Sequence, residues 1–426
     1  MKHRMKRERM ANLCILVTDG THDSPKLQNE GVPFIKGRHI SSGIVDFEHC
    51  DFIKQEDHQE ACRRVKPQSG DILFSNIGSV GDTAVIKSER EFSIKNVALF
   101  RADPNKIEPS YLYYLVMSPV FKANVMNVRS GSAQPFISLM SLRSFDVDYH
   151  EDLAVQRRIA DILSAYDDLI ENNMRRIQIL EQMAQALYQE WFVHFRFPGH
   201  AQAKLVASPM GKIPQGWEVA TLTDVCKSVN DGDWIETKDQ GGDEYRLLQI
   251  SNVGVNELIE TGNFRYITQD TFARLRCQEV LPDDILISRM PTPIGRAWLV
   301  TQMPWRMITA VDVAIVKVAP DRVDPYFLTY QLNSPNQLAA CEKNATGTTR
   351  PRISKNALCS LPLVIPPMSV QKRYGEFVSV GYAMVTTLRH RSDNLRHTRD
   401  LLLPKLISGE LDVLKNNFEK GEINYA

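Results

Sequence analysis

The segment TGTTRPRISK gathers Thr348, Thr349, Arg350, Arg352 and Lys355 into one short stretch. A second loop, GSAQPFIS, offers Ser132 and Gln134 at the matching place earlier in the chain. Lys36, Arg38 and His39 likewise match Gln249, Ser251 and Asn252, and Asn76 matches Arg289. These side-chain types suit nucleic-acid recognition: Arg and Lys pair with guanine, Asn and Gln with adenine, and Ser and Thr bond to phosphate. A Gly-Pro turn with solvated side chains accounts for the two loops equally well, and surface strand ends account for the other positions. Asp19-Gly20-Thr21-His22 and Asp231-Gly232-Asp233-Trp234 read most simply as tight turns. The functional alternative extends His22 and Trp234 toward a nucleic acid.

Chemistry of other kinds finds no foothold. The chain has no Asn/Asp-Pro-Pro-aromatic motif for amino methylation, no GxGxxG loop, no Walker A sequence and no HExxH or zinc pattern. No catalytic residue, cofactor or metal site is therefore expected. Asp283-Asp284 resembles a catalytic carboxylate pair, but it follows Pro282 and precedes an apolar run, as a turn at a strand entrance does.

Over 426 residues, 51 basic side chains balance 51 acidic ones, so no basic excess advertises nucleic acid, although a basic patch on one face is compatible with neutrality. Seven cysteines, odd in number and scattered without a CxxC pair, argue against a disulfide framework and fit a reducing cytoplasm. The basic N-terminus has too short an apolar run for a signal peptide, and no segment has the apolar length of a membrane span.

The elements that must hold these loops occur twice. GDILFSNIGSVGDTAVI from Gly70 is echoed by DDILISRMPTPIGRAWLV from Asp283, VALFRAD from Val97 by VAIVKVA from Val313, and EPSYLYYLVMSP from Glu108 by DPYFLTYQLNSP from Asp324. Together with the Asp-Gly pairs and the two loops, five blocks keep their order at separations between 212 and 216 residues. This is an internal duplication. DILF and DILIS read as buried strands, each forming a hairpin with TAVI or AWLV. VALF and VAIV are strands too, YLYYLVMSP and YFLTYQLNSP amphipathic helices, and the Gly-Pro loops feed a short strand.

Each copy ends in a long helical stretch. From Val155 to Trp191 there is neither Gly nor Pro, and apolar residues from Ile159 to Trp191 recur three or four apart. From Gln371 a second stretch places Tyr374, Phe377, Gly381, Met384, Leu388, Leu395 and Leu402 on a heptad-like seam. At about 1.5 Å per residue each helix is roughly 50 Å long and needs a partner. An antiparallel pair would hold two similar heads at opposite ends, a spacing of about one and a half turns of B-DNA. A coiled-coil adaptor holding two proteins without reading bases is the competing use of that geometry.

The order of these pieces resembles the specificity subunit of type I restriction–modification enzymes. IPQGW opening a domain, GDILFS and DDILIS before a Gly turn, G-x-x-x-P-x-I-S, the helix entries at Gln156 and Gln371, and the ends ALYQEWFVHF and LLLPKLISGEL carry the resemblance over nearly the whole chain. It implies an α+β chain with two homologous mixed target recognition domains and two long helices pairing as an antiparallel coiled coil with pseudo-two-fold symmetry. The recognition domains would span 1–150 and 217–366, the long helices 151–196 and 367–412, with a linker over 197–216 and a tail over 413–426. It further implies a non-catalytic subunit that reads a bipartite site in double-stranded DNA. Two modification subunits, which bind S-adenosylmethionine and methylate adenine, would dock on it, and restriction/translocase subunits would join them. One departure stands out: the second half opens with GWEVATLTDVCKSV, whereas the first offers only MKHRMKRERMANLCILVT, which leaves two readings, an abbreviated first strand or a wrongly assigned start.

Overall fold

The computed structural model describes residues 4–41, 43–128, 135–260 and 262–414. The chain divides into two compact units, one of Met1–Met174 with Arg389–Ala426 and the other of Arg175–Leu388. Each is α+β, and each holds a four-stranded and a three-stranded sheet whose strands follow the same order in the other.

In the first unit a four-stranded antiparallel sheet runs in the order Cys14–Asp19, Ala98–Ala102, Ile72–Phe74, Thr83–Val85. In the second the order is Cys226–Asp231, Val313–Val318, Ile285–Ser288, Ala297–Leu299. The apolar runs form central strands because both faces are covered: Ile72, Leu73 and Phe74 are fully buried, as are Ile285, Leu286 and Ile287. A three-stranded sheet accompanies each, with Val32–Ile35 or Tyr245–Leu248 in the middle, antiparallel to one neighbour and parallel to the other. The expected hairpins are present in both copies.

The acidic turns open these strands as anticipated. Asp284 accepts the Leu281 N–H at 2.9 Å and pairs with Lys317 at 2.9 Å. Its counterpart Asp71 accepts the Gln68 N–H at 2.8 Å and pairs with Arg101 at 2.6 Å. The carboxylates hold turns, and each is bonded to its own sheet.

Two expectations are corrected. The first strand is complete: Met5–Arg9 pairs over five residues with Asp146–His150, where the second unit pairs three, Glu218–Ala220 with Leu363–Ile365. A one-turn helix, Met10–Leu13, follows it, and its Met10 and Leu13 are fully buried, so apolar anchoring compensates for a charged strand. Residues 135–138 and the loop at 347–354 lead first into short helices, Leu139–Ser144 and Lys355–Ser360, and only then into strands. The cause is local: Ser138 and Ser354 each accept an N–H of the first turn at 3.1 Å, and such caps start a helix.

The long helices span Leu153–Tyr188, continuing into a π turn at Gln189–Val193, and Met368–Ile407. Both begin on a buried glutamine. The Gln156 carbonyl accepts the Glu108 N–H at 2.7 Å while its amide donates to His150 O at 2.7 Å; Gln371 does the same with Asp324 N–H at 2.9 Å and Pro366 O at 2.7 Å. Each glutamine thus ties its helix to the helix and strand before it. Within the first unit Asp167 accepts from the Tyr114 hydroxyl at 2.6 Å and pairs with Arg399. Within the second, Ile177 packs on Val385 and Leu388, and the Tyr374 hydroxyl donates to Ala184 O at 3.2 Å. The helical segments run antiparallel. The seam is shifted from the expected one: Tyr374, Val378, Tyr382, Val385 and Leu388 are buried, whereas Phe377 is 69% and Met384 49% exposed. A helix has 3.6 residues per turn, so an apolar residue one step off the seam rotates out of it. No helix among the described residues is long and apolar enough to cross a membrane.

Candidate nucleic-acid interface

In each unit the candidate side chains sit at strand ends that the backbone draws together. The Asp-Gly pairs are the crossing points. Gly20 N–H donates to Val97 O at 3.0 Å and Gly232 N–H to Val313 O at 2.9 Å. A Cβ on Gly20 would lie 2.0 Å from Ile94 O, and one on Gly232 would lie 2.3 Å from Ala310 O. These glycines are therefore demanded by close approach of another backbone, which corrects the reading of a tight turn. Past the crossing, His22 reaches Asn96 Oδ1 at 2.7 Å with its side chain 57% exposed, and Trp234 is 72% exposed.

The turns at 36–39 and 249–252 are alike in backbone and different in chemistry. His39 Nδ1 accepts the Lys36 N–H at 3.1 Å, and Asn252 Oδ1 accepts the Gln249 N–H at 2.8 Å. Both capping residues are buried, so Asn252, a candidate reader, serves its own turn and also donates to Ile259 O at 2.8 Å. Burial, and next the charge of Arg38, hold the His39 imidazole below its ordinary range, which keeps it neutral and able to accept. Lys36 and Arg38 converge on Asp51, each at 2.7 Å, and Arg38 grips both carboxylate oxygens. Against the upward push of burial, Lys36 and Arg38 keep the Asp51 carboxyl below the usual carboxylate range. Gln249 is half-buried at the matching place.

Asn76 and Arg289, expected at surface strand ends, are buried to 3% and 2% exposure. Both face inward because the extended segment that ends the Gly-Pro loop passes over them. Ile137 N–H donates to Asn76 O at 2.9 Å, and Ile353 N–H to Arg289 O at 3.1 Å. The Arg289 guanidinium donates to Val311 O at 2.9 Å and pairs with Asp231 at 2.9 Å and Asp312 at 3.5 Å. Burial lowers its proton affinity, and Asp231 opposes that shift. A charge so committed holds the fold together and has no fork left for a base edge.

The loop after Thr346 is closed by two backbone bonds between Thr346 and Arg352, both 2.9 Å. Arg352 pairs with Asp312 at 2.8 Å and so anchors the loop, while Thr348, Thr349 and Arg350 stand exposed at its tip. Arg350 has no ion-pair partner among the described residues. The matching Ser132 and Gln134 lie outside the described residues. The structure therefore gathers Lys36 and Arg38 on Asp51 in one unit and Thr348, Thr349 and Arg350 on one loop in the other. It withdraws Asn76, Asn252 and Arg289 from the surface. Asp51 and Asp312, which help to organise the two sites, escaped the sequence reading, and Asp231 was singled out only as part of an Asp-Gly turn.

The family model of the type I restriction modification DNA specificity domain matches twice, over residues 17–182 and 214–395. Among curated relatives, the type I restriction enzyme MjaIX specificity subunit of Methanocaldococcus jannaschii is 24% identical over 366 residues, covering 85% of this chain and 82% of the relative. The type I restriction enzyme HindI specificity subunit of Haemophilus influenzae is 23% identical over 451 residues, covering 87% of this chain and 94% of the relative. Among solved structures, the S subunit of a type I restriction–modification system from M. genitalium shares the fold, with a TM-score of 0.60 and 14% identity over 95% of this chain and 96% of that one.

Proposed function

We propose a function from one premise: the chain belongs to the family of type I restriction–modification DNA specificity subunits. It gives a type I restriction–modification complex its DNA sequence specificity, reading a bipartite site with two recognition domains. The modification and restriction subunits dock on it and carry the catalytic chemistry, and this chain contributes recognition alone. The observation that supports this reading best is the duplication itself. The same backbone bonds recur in both units at Gly20 and Gly232 and at Ile137 and Ile353, and the same side-chain bonds at Gln156 and Gln371, while the exposed side chains around them differ. Two copies of one scaffold with different surfaces suit two half-sites of different sequence.

Within this reading, Lys36 and Arg38 of the first unit and Thr348, Thr349 and Arg350 of the second face DNA, with Gln249, Ser132 and Gln134 as further candidates. Affinity comes largely from phosphate contacts and falls with salt, and the loop side chains supply preference. The test exchanges one half of the chain for that of a relative with another target and maps the methylated adenines. The half-site read by the exchanged half should change and the other should persist. An unchanged target would refute the reading.

A further inference from the structure

An open cavity of about 330 Å³ in the first unit is bounded by the turns at 36–38, 77–79 and 95–96. Its wall carries three cations, Lys36, Arg38 and Lys95, together with Ser79 and Asn96, and includes no carboxylate. Lys95 was not among the candidate readers. Its ammonium rests on the Ser24 hydroxyl, and its backbone N–H meets Ile35 O at 2.9 Å. The residue whose N–H meets the matching carbonyl in the second unit, Leu248 O at 2.9 Å, is Ala310. Lys36 and Arg38 correspond there to Gln249 and Ser251, so the second unit carries no cation at any of the three places.

Asp51, outside the lining, already pairs with Lys36 and Arg38, whereas Lys95 has no carboxylate partner among the described residues, so the opening keeps a net positive charge to which an anion is drawn. The form of the cations favours phosphate over a base edge. The Arg38 nitrogen Nη2, which belongs to both paired edges of the guanidinium, is spent on the two oxygens of Asp51, so neither edge offers two free donors to guanine. Lysine ammonium groups are point charges with rotatable donors, suited to a phosphate oxygen. Ile77 alone gives the wall an apolar side chain, and no aromatic face is present on which a base would stack. We propose that this cavity seats one backbone phosphate of the DNA, held by the ammonium groups of Lys36 and Lys95 with Ser79 and Asn96 as neutral donors. The second unit lacks such a seat at the matching place. The proposal rests on the DNA-recognition reading above and adds a division of labour between the two units.

The experiment measures binding of the full chain, assembled with its modification subunit, to a labelled duplex bearing its mapped methylation site and to a scrambled duplex of equal length. Affinity is followed from about 50 to about 200 mM salt, the range over which phosphate contacts express themselves. Lys95→Ala and Lys36→Gln, each installing the second unit's residue, should each flatten log K against log salt by about 0.9 and weaken both duplexes by the same factor. Lys95→Arg, which keeps the charge, should retain the full slope. An unchanged slope in Lys95→Ala, or a loss confined to the cognate duplex, overturns the proposal. Wild-type protein that fails to prefer the cognate duplex refutes the recognition reading itself, which separates the two failures.

Discussion

Asn76 in the first unit and Arg289 in the second occupy the same place under the extended segment that ends the Gly-Pro loop. Each backbone carbonyl accepts the N–H of an isoleucine, Ile137 or Ile353, and each side chain is buried. Asn76 itself carries no charge, and its amide donates to Ile137 O at 3.5 Å. Around Arg289 the environment is ionic, with Asp231, Asp312 and, through Asp312, Arg352. His39 and Asn252 form a second such pair, two unlike side chains accepting the same backbone N–H. The difference shows that this scaffold fixes hydrogen bonds and lets the side chain that supplies them vary. A recognition surface can then be re-lettered without disturbing the fold beneath it.

The comparison is broken most severely at Arg289. Removing one partner of a buried ionic cluster costs about 3–5 kcal/mol, whereas truncating a neutral buried amide costs about 1 kcal/mol. All five tryptophans lie in the second unit, so their fluorescence reports that unit alone. In urea unfolding, Arg289→Ala should move the tryptophan transition far to lower denaturant, and Asn76→Ala should leave it in place. Equal shifts would show that the two sites are energetically alike.

A smaller effect distinguishes the loop tip from its anchor. Arg350→Ala should leave stability within about 0.5 kcal/mol of wild type and relax discrimination at one base pair by about 1–3 kcal/mol. Arg352→Ala releases the loop from Asp312 and should weaken the whole second half-site. Binding to a panel of single-base variants checks both, and a position-by-position profile unaltered by Arg350→Ala would refute the assignment.

The smallest effect is that of acid. Burial depresses the proton affinity of His39, and likewise of His58, below the ordinary value of 6.5. In the pH range between the depressed and the ordinary value the unfolded chain binds more protons, so stability is full above about 6.5 and declines as pH falls below it. The second unit places Asn252 where the first has His39. His39→Asn, an acceptor that does not titrate, should therefore lose less stability than wild type when far-UV dichroism is followed from about pH 7.5 to about pH 5.5. Identical losses would remove His39 from the account.

Much of this was legible in the chain. The repeated blocks revealed a duplication because strands, hairpins and helices each need a local pattern, and the patterns recur in order. Gln156 and Gln371 were visible as matched helix entries, although not as the residues that tie three backbone groups together. The seam of the second helix was misplaced at Phe377 and Met384, since apolar spacing alone leaves the rotation of a helix undetermined by a fraction of a turn. The Asp-Gly pairs were recognised and misread, because the backbone that passes Gly20 belongs to Ile94, more than seventy residues on.

By itself the sequence determined where strands and helices form, that they form twice, and which loops carry polar side chains, since propensity and periodicity act between near neighbours. Only the tertiary structure decided which of those side chains face outward. Asn76 and Arg289 turn inward because a carbonyl and a carboxylate from distant segments meet them there, and Asn252 because its own turn and Ile259 O bond it, and a buried polar group settles where its partners are.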